Sequence, residues 1–319
     1  MAELVRVSNN HDGYLEVINT LFEKGVKQES RNGTTLEVQD LMIEVANPLE
    51  MAPNGVRPGY AVSIGWVEGL QLIAGITDSA LTTQVQPNFR AFMEHEDARF
   101  WGAYGPRLRD QLPIIVGRLA ADPDTRQAVT TLWDPKYDAA GGKKDHPCTT
   151  AFVFQIRDGK LNMSTLMRSN DLYWGWPYDS QQFAMLQLTM AGALRVPVGT
   201  YTHHAVSAHL YEPHWVAARE MLANWDVTES ALQTPMFNVL EGVPLTVLTP
   251  PGSNYAENYA RVRWEAVRER AFTTYRVITQ TLPTSELKTE DEVRVARELM
   301  KRRATTLERE QKKLDDIQL

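Results

Sequence analysis

Two strand-like runs, AFVFQIR at 151–157 and KLNMSTLMRS at 160–169, meet at Asp158-Gly159 and constrain the fold more than any other stretch of the chain. An Asp-Gly pair accepts the positive backbone angles of a type I′ turn, whose twist matches that of the flanking strands, so a β-hairpin is predicted. The first strand is entered from a polar, glycine-containing loop (136–146) through Pro147-Cys148, and the second leaves into Arg168-Ser169-Asn170-Asp171. A proline and a polar loop before a strand can present a side chain to a cleft. The spacing of Cys148 to Arg168-Ser169 therefore sets a thiol beside a candidate phosphate site.

Helical and strand-like segments alternate around this hairpin, as expected of an α/β (α+β) protein. Residues 14–25 space Leu15, Ile18 and Leu21-Phe22 as an amphipathic helix closed by Gly25, and QESRNGTT (28–35) reads as a polar turn. Partial alternation at 36–46 predicts a strand, and the prolines and glycines of 47–60 predict loop. AVSIGWVEGLQLIA (61–74) reads as a buried helix interrupted by glycines and carrying Glu68. Residues 109–121 form a helix stopped by Asp122-Pro123-Asp124, and 127–133 a strand. A helix at 179–194 turns Phe183, Leu186, Met190 and Ala193 to the core, and 196–211 is strand-like again. From about 214 the pattern is helical, broken by Pro235, Pro244, Pro250 and Pro251. Thr289 and Glu292 have capping-box spacing ahead of a charged helix with Glu298–Arg302 and Glu308–Lys312 at i,i+4. Its apolar positions, Val293, Ala296, Met300, Leu307 and Leu314, are sparse, so it is expected to lie on the body or protrude, towards a partner subunit in the latter case. The expected division is a core at 1–213 and a helical portion at 214–319.

A net charge of −7 argues against broad nucleic-acid or anionic-membrane binding. A small anion remains compatible, because a few arginines can hold a phosphate. The single cysteine excludes an intramolecular disulfide and a multi-cysteine zinc site. The opening MAELVRVSNNHDG has no signal-peptide succession, and no run of about 18 apolar residues is present, so a cytoplasmic protein is expected.

Three features could carry chemistry. A lone cysteine is most often a small buried hydrophobe, but His146, Lys143 and Lys144 precede Cys148 closely, and cations lower a thiol pKa. Arg168 offers a planar fork to phosphate oxygens and Ser169 a hydroxyl, though a solvated strand end reads the same way locally. Glu68 inside an apolar helix needs a partner or a function unless it lies on an exposed face. Histidines 203, 204, 209 and 214 do not form a metal pattern, and His203 and His204 point to opposite faces of a strand. No metal is expected.

Together these residues resemble the thymidylate synthase superfamily. The matching elements run in family order from about 14 to 211: QESRNGTT with Arg31, the helix with Glu68, FWGAYG with Tyr104, DPDTR with Arg126, then Trp133, Pro147-Cys148, RSND (168–171), GWPYD (175–179) and His209-Leu210-Tyr211. The resemblance implies a thymidylate-synthase fold, a sheet-on-sheet homodimer with surrounding helices, a pyrimidine nucleoside monophosphate as substrate and 5,10-methylenetetrahydrofolate as co-substrate. Cys148 would attack pyrimidine C6, and Glu68 would organise water and proton transfers. Arg31, Arg168 and Ser169 would hold the 5′-phosphate, and Arg126 would reach the partner's site. His209 and Tyr211 would contact the sugar, Tyr104 would bind substrate, and Asp171 would serve the folate side.

The departures narrow the substrate. Where thymidylate synthases carry an asparagine that reads uracil, this chain has Asp179, as the dCMP and CMP hydroxymethylases of the superfamily do. A carboxylate accepts from cytosine N4 and, protonated, donates to N3. Asp179 also stands where a helix N-cap would. The segment ITDSALTTQVQPNFRAF (76–92) lacks the tryptophan usual near the folate, and DDIQL at the end differs from the usual apolar closing peptide. Gln127 replaces the second arginine usual after Arg126. An altered closure favours water as the final nucleophile. The expected activity is folate-dependent C5 hydroxymethylation of a cytidine monophosphate, CMP over dCMP. The alternatives are a C5 methyltransferase acting on dUMP or dCMP and a non-catalytic nucleotide-binding protein.

Overall fold

The computed structural model describes residues 2–52, 55–94, 99–225, 232–233 and 254–317. In chain order the elements are β1 (Glu3–Asn9), α1 (Asn10–Lys24), β2 (Val26–Ser30), β3 (Gly33–Asn47), β4 (Glu50–Met51), α2 (Val62–Ala74), α3 (Ser79–Val85), α4 (Tyr104–Leu108), α5 (Leu112–Ala121) and β5 (Val129–Thr131). There follow α6 (Pro135–Asp138), β6 (Thr149–Arg157), β7 (Lys160–Met167), β8 (Asn170–Asp171), α7 (Trp176–Leu194), β9 (Val198–Tyr211), α8 (Trp215–Ala223), β10 (Leu232–Gln233), α9 (Asn254–Ile278) and α10 (Glu290–Ile317).

One mixed sheet in the order β1-β3-β9-β7-β6-β5 organises the molecule, with β2 on β3 and β8 on β9. The hairpin closes at Asp158 (φ 50°) and Gly159 (φ 70°), both left-handed as a type I′ turn requires. Its pairing runs in register from Arg157↔Lys160 to Ala151↔Leu166 and then shifts by one residue at a bulge before Thr149↔Met167. QESRNGTT is not a free turn. It is the β2–β3 hairpin, paired from Val26↔Glu37 to Ser30↔Gly33, with only Arg31 and Asn32 at the tip.

Helices α2 and α7 are buried almost all round and pack against each other. The glycines that interrupt α2 are the reason they can. A Cβ on Gly65 would collide with Gln181, and one on Gly69 would stand 2.7 Å from Met185 Sδ. These two positions lie four residues apart, on one face of the helix, so α7 presses against the backbone there. Glu68, one residue earlier on that side, is thereby carried to the N-terminal turns of α7.

Helix α7 begins at Trp176, earlier than expected, with Pro177 in its first turn and Gly175 as N-cap. Asp179 is therefore inside the helix, its N–H bonded to the Gly175 carbonyl at 2.9 Å, and the N-cap reading of its side chain does not hold. Ahead of it, the buried Arg57 guanidinium sits 4.0 Å from the Trp174 ring centroid and also faces Tyr60, Tyr173 and Tyr178, which fixes the approach to α7.

The C-terminal helices lie against the body. Trp264, Ala271, Val295, Ala296 and Leu299 are buried, and α9 packs on α5 and α2 while α10 packs on α3 and α9. The capping box forms: Glu292 N–H donates to Thr289 Oγ1 and Thr289 N–H to Glu292 Oε2, both at 3.1 Å. Arg302, expected to pair with Glu298, reaches instead to the Val85 carbonyl at 3.2 Å. The stretch of Pro235, Pro244, Pro250 and Pro251 lies outside the described residues.

Candidate active site

Cys148 immediately precedes β6, and the Arg168 N–H donates to its carbonyl at 2.9 Å. The bulge near Thr150 produces this pairing; without its one-residue shift Cys148 would stand opposite Ser169. The Arg168 guanidinium folds over the same turn, with Nε donating to the Pro147 carbonyl (3.1 Å), Nη2 to that of His146 (3.3 Å), and Nη2 3.8 Å from Cys148 Sγ. Its other face lies over Trp133, 5.5 Å from the ring centroid.

Burial pushes the Cys148 thiol up to about 11, against the pull of Arg168. The cation at the sulfur is thus Arg168 and not the residues just before the cysteine. His146 lies 3.6 Å from Asp138, and Lys143 lies 4.8 Å from the centre of the Trp101 ring.

A cavity gathers Glu68, Gln71, Tyr104, Asp145, Asp179 and Gln182 with an apolar wall that includes Phe89, Phe92 and Phe100. Gln182 ties two of the carboxyls together, with Nε2 3.4 Å from Glu68 Oε2 and 3.2 Å from Asp179 Oδ1. On its other side Asp179 accepts from Asn170 Nδ2 at 2.7 Å. Burial, with Asp179 and Asp145 nearby, pushes Glu68 up to about 8. Burial likewise pushes Asp179 up to about 7, although the Asn170 and Gln182 amides oppose the rise. Near neutrality both carboxyls stand close to the midpoint between acid and base, as proton-transfer groups need. Asp145 is also raised by burial, while its carboxylate accepts the Gly102 N–H at 3.0 Å. The Tyr104 hydroxyl accepts from Thr149 Oγ1 at 3.0 Å, beside the thiol.

A second cavity brings Ser169, His209 and Tyr211 together with Gln28, Glu29, Ser30 and Glu37 from β2 and β3. The His209 and Tyr211 rings meet edge to face, 5.0 Å between centroids, and Glu37 takes the Ser207 hydroxyl. Arg31 is exposed at the tip of the adjoining hairpin, and Arg126 is exposed between α5 and β5. Asp171 lines neither of these two cavities. Its Oδ1 accepts the N–H groups of Tyr173 (2.9 Å) and Trp174 (3.0 Å), shaping the turn into α7.

Sequence reasoning missed Asp145, Gln182 and Asn170. Asn170 lies within the RSND motif and Gln182 within the helix expected at 179–194, but nothing local says which side chains turn inward. His203, read only as one of two opposed histidines, is fully buried while His204 is partly exposed and faces Asp40 at 3.3 Å. Among the described residues no group of three or more His, Cys, Asp or Glu is placed to hold a metal ion, and no helix is long and apolar enough to cross a membrane.

A family model described as Thymidylate synthase matches residues 89–239, which include Arg126, Cys148, Arg168, Ser169, Asp179, His209 and Tyr211. The chain is 32% identical over 220 residues to a deoxyuridylate hydroxymethyltransferase of Bacillus phage SP01, a match covering 62% of this chain and 56% of that protein. It is 29% identical over 222 residues to a deoxyuridylate hydroxymethyltransferase of Pseudomonas phage M6, covering 66% of this chain and 62% of that one. The match therefore spans little more than half the length of these relatives. The ordered motifs and the mixed α/β fold agree with this similarity to the thymidylate synthase superfamily.

Proposed function

We propose that this protein is a methylenetetrahydrofolate-dependent hydroxymethyltransferase acting at C5 of a cytidine 5′-monophosphate, with CMP preferred to dCMP. The observation that carries this reading is the Asp179 carboxyl held by two amide donors in the cavity it shares with Glu68, in a chain whose nucleophile candidate stands against Arg168.

In this reading Cys148 adds as a thiolate to C6, which makes C5 enamine-like, and covalent catalysis divides one hard step into easier ones. Arg168 stabilises the thiolate. Glu68 holds and moves protons at the base, being part acid and part base near pH 8. Asp179 accepts from N4–H₂ and in its protonated form donates to N3. Arg31, Arg168 and Ser169 hold the phosphate, while His209 and Tyr211 hold the sugar. Bound methylenetetrahydrofolate would supply the one-carbon unit to C5, which would give up its proton, and tetrahydrofolate would leave so that the base carries an exocyclic methylene. The aromatic wall of Phe89, Phe92 and Phe100 suits a flat ring system, with Tyr104 lining the same cavity and its hydroxyl bonded to Thr149, the residue after Cys148. Asp171 would act from the folate side through the turn it shapes. Water then adds to the exocyclic methylene carbon of the base, giving up a proton, and the thiolate leaves C6 as the 5,6 double bond returns.

The active species in this reading is a cytoplasmic homodimer that binds neither nucleic acid nor membrane. The sheet face opposite the helices exposes Leu4, Met42, Leu166 and Val206, which supports a second copy packed sheet on sheet. Exposed Arg126 would then complete the phosphate site of the partner subunit. Residues 1–213 would form the catalytic core and 214–319 a helical portion lying on it.

The names of the phage relatives favour a second reading, with dUMP as substrate. An ionised Asp179 could accept from uracil N3–H but would face O4 with like charge. Tritium release from 5-tritiated CMP, dCMP, UMP and dUMP, with the product mass measured, tests both readings. Release only from cytidine nucleotides, with a gain of CH₂O, supports the proposal. Release only from uridine nucleotides rejects the reading of Asp179, and a gain of CH₂ rejects hydroxymethylation.

A further inference from the structure

A chain of hydrogen bonds runs from the core of the protein to Asp179. The Tyr201 hydroxyl lies 2.7 Å from His203 Nδ1, and His203 Nε2 lies 3.1 Å from Asn170 Oδ1. Asn170 Nδ2 then donates to Asp179 Oδ2 at 2.7 Å. Tyr201 and His203 are fully buried and Asn170 is 3% exposed, so water does not compete for these groups.

One assignment of protons satisfies all three contacts. A carboxylate needs a donor, so Asn170 turns its nitrogen to Asp179 and its oxygen to His203. The imidazole must then carry its hydrogen on Nε2, and its Nδ1 accepts from Tyr201. Burial lowers the imidazole pKa to about 3, which keeps the ring neutral. The edge of His203 also packs against Trp176, 4.7 Å between centroids and 89° between planes, which fixes the ring. Tyr201, His203 and Asn170 are thus a set of fixed dipoles that does not titrate near neutrality.

Three separate elements meet here: β9 supplies Tyr201 and His203, β8 supplies Asn170, and α7 supplies Asp179. A primary amide is nearly symmetric in shape, and among the described residues His203 and Asp179 are the groups that hold the Asn170 side chain, so without His203 only the carboxyl opposes a half-turn of the amide. That half-turn would aim an oxygen at Asp179 and drive the carboxyl to protonate or move. We propose that His203 and Asn170 are positioning residues for base selection: they fix which edge of Asp179 meets the pyrimidine, and Tyr201 fixes the tautomer of His203. This rests on the reading of Asp179 as the group that recognises the base.

The test is the ratio of dissociation constants for CMP and UMP, and for the deoxy pair, measured by calorimetry on the full chain. His203→Phe keeps a ring and removes both nitrogens. It is expected to shrink the preference between bases at least tenfold, whereas a merely structural defect weakens both bases alike. His203→Gln can donate from near the place of Nε2 and is expected to keep most of the wild-type ratio. A folded His203→Phe with the wild-type ratio overturns the proposal. If that variant does not fold, Asn170→Ala decides: a lost preference supports the relay and an unchanged one overturns it. A wild-type preference for uracil rejects the cytosine reading alone, because the relay still requires that preference to collapse in His203→Phe. Equal binding of both bases by the wild type overturns both ideas.

Discussion

Arg168 Nη2 lies 3.8 Å from Cys148 Sγ, and this guanidinium is the cation that opposes the effect of burial on the thiol. With the thiol pushed up to about 11, only the thiolate fraction reacts, and that fraction rises with pH. Alkylation of the nucleotide-free protein by iodoacetamide is expected to be slow at pH 7 and to accelerate about tenfold per pH unit below that value. Arg168→Ala should slow alkylation at pH 8 by a further factor of about ten. Faster alkylation of the variant would show that Arg168 shields the sulfur and does not activate it.

Asp179→Asn exchanges a group suited to the cytosine edge for one suited to the uracil edge. Each mismatched buried hydrogen bond costs about 1–3 kcal/mol, so the kcat/KM ratio of cytidine to uridine nucleotides should move towards uridine by about a hundredfold or more. Competitive tritium release measures this directly, and an unmoved ratio counts against the role of Asp179.

Glu68 makes stability depend on pH. In the unfolded chain it ionises near 4.5, while in the folded protein burial and the neighbouring carboxyls hold its proton up to about 8. The unfolded state therefore binds fewer protons between these values, so folding stability falls as pH rises through them, and the loss is complete above the folded pKa. Glu68→Gln cannot ionise. Its Tm should exceed that of the wild type by about 3 °C or more at pH 9 and lose that advantage at pH 4, while activity falls by about a hundredfold. Calorimetry across pH checks this; a Tm difference independent of pH would remove the buried ionisation as its cause.

The proposed sharing of Arg126 predicts complementation. Cys148→Ala and Arg126→Ala should each be inactive or nearly so alone. Mixed, refolded and allowed to exchange, they should recover about a quarter of wild-type activity, because half of the dimers carry one intact site. No recovery in a preparation shown to contain mixed dimers would place Arg126 outside the partner's site.

Much of the fold was legible because its signals are local. The alternation on either side of Asp158-Gly159, the helix carrying Glu68 and the Thr289–Glu292 box all depend on neighbours within a few residues. The β2–β3 pairing was not legible, since the polar, exposed residues of β2 carry no alternation and become a strand only by bonding to β3. Gln182 and Asn170 were equally silent. An amide has no preferred side of a helix or strand, and only the packing of α2 against α7 and of β8 against β9 turns these two inward.

The sequence by itself determined that a hairpin holds a thiol and an arginine-serine pair near one another, because a turn type and a strand period are properties of short stretches. It did not determine which residue faces the cysteine. A bulge shifts the register by one, so that Arg168 and not Ser169 stands opposite Cys148. Likewise Gly65 and Gly69 read as interruptions of a helix until α7 is laid against them, and then they are what brings Glu68 to Gln182 and Asp179. Register shifts and helix approach are set by contacts between residues distant in the chain, whose energies no local pattern encodes, and so the tertiary structure decided them.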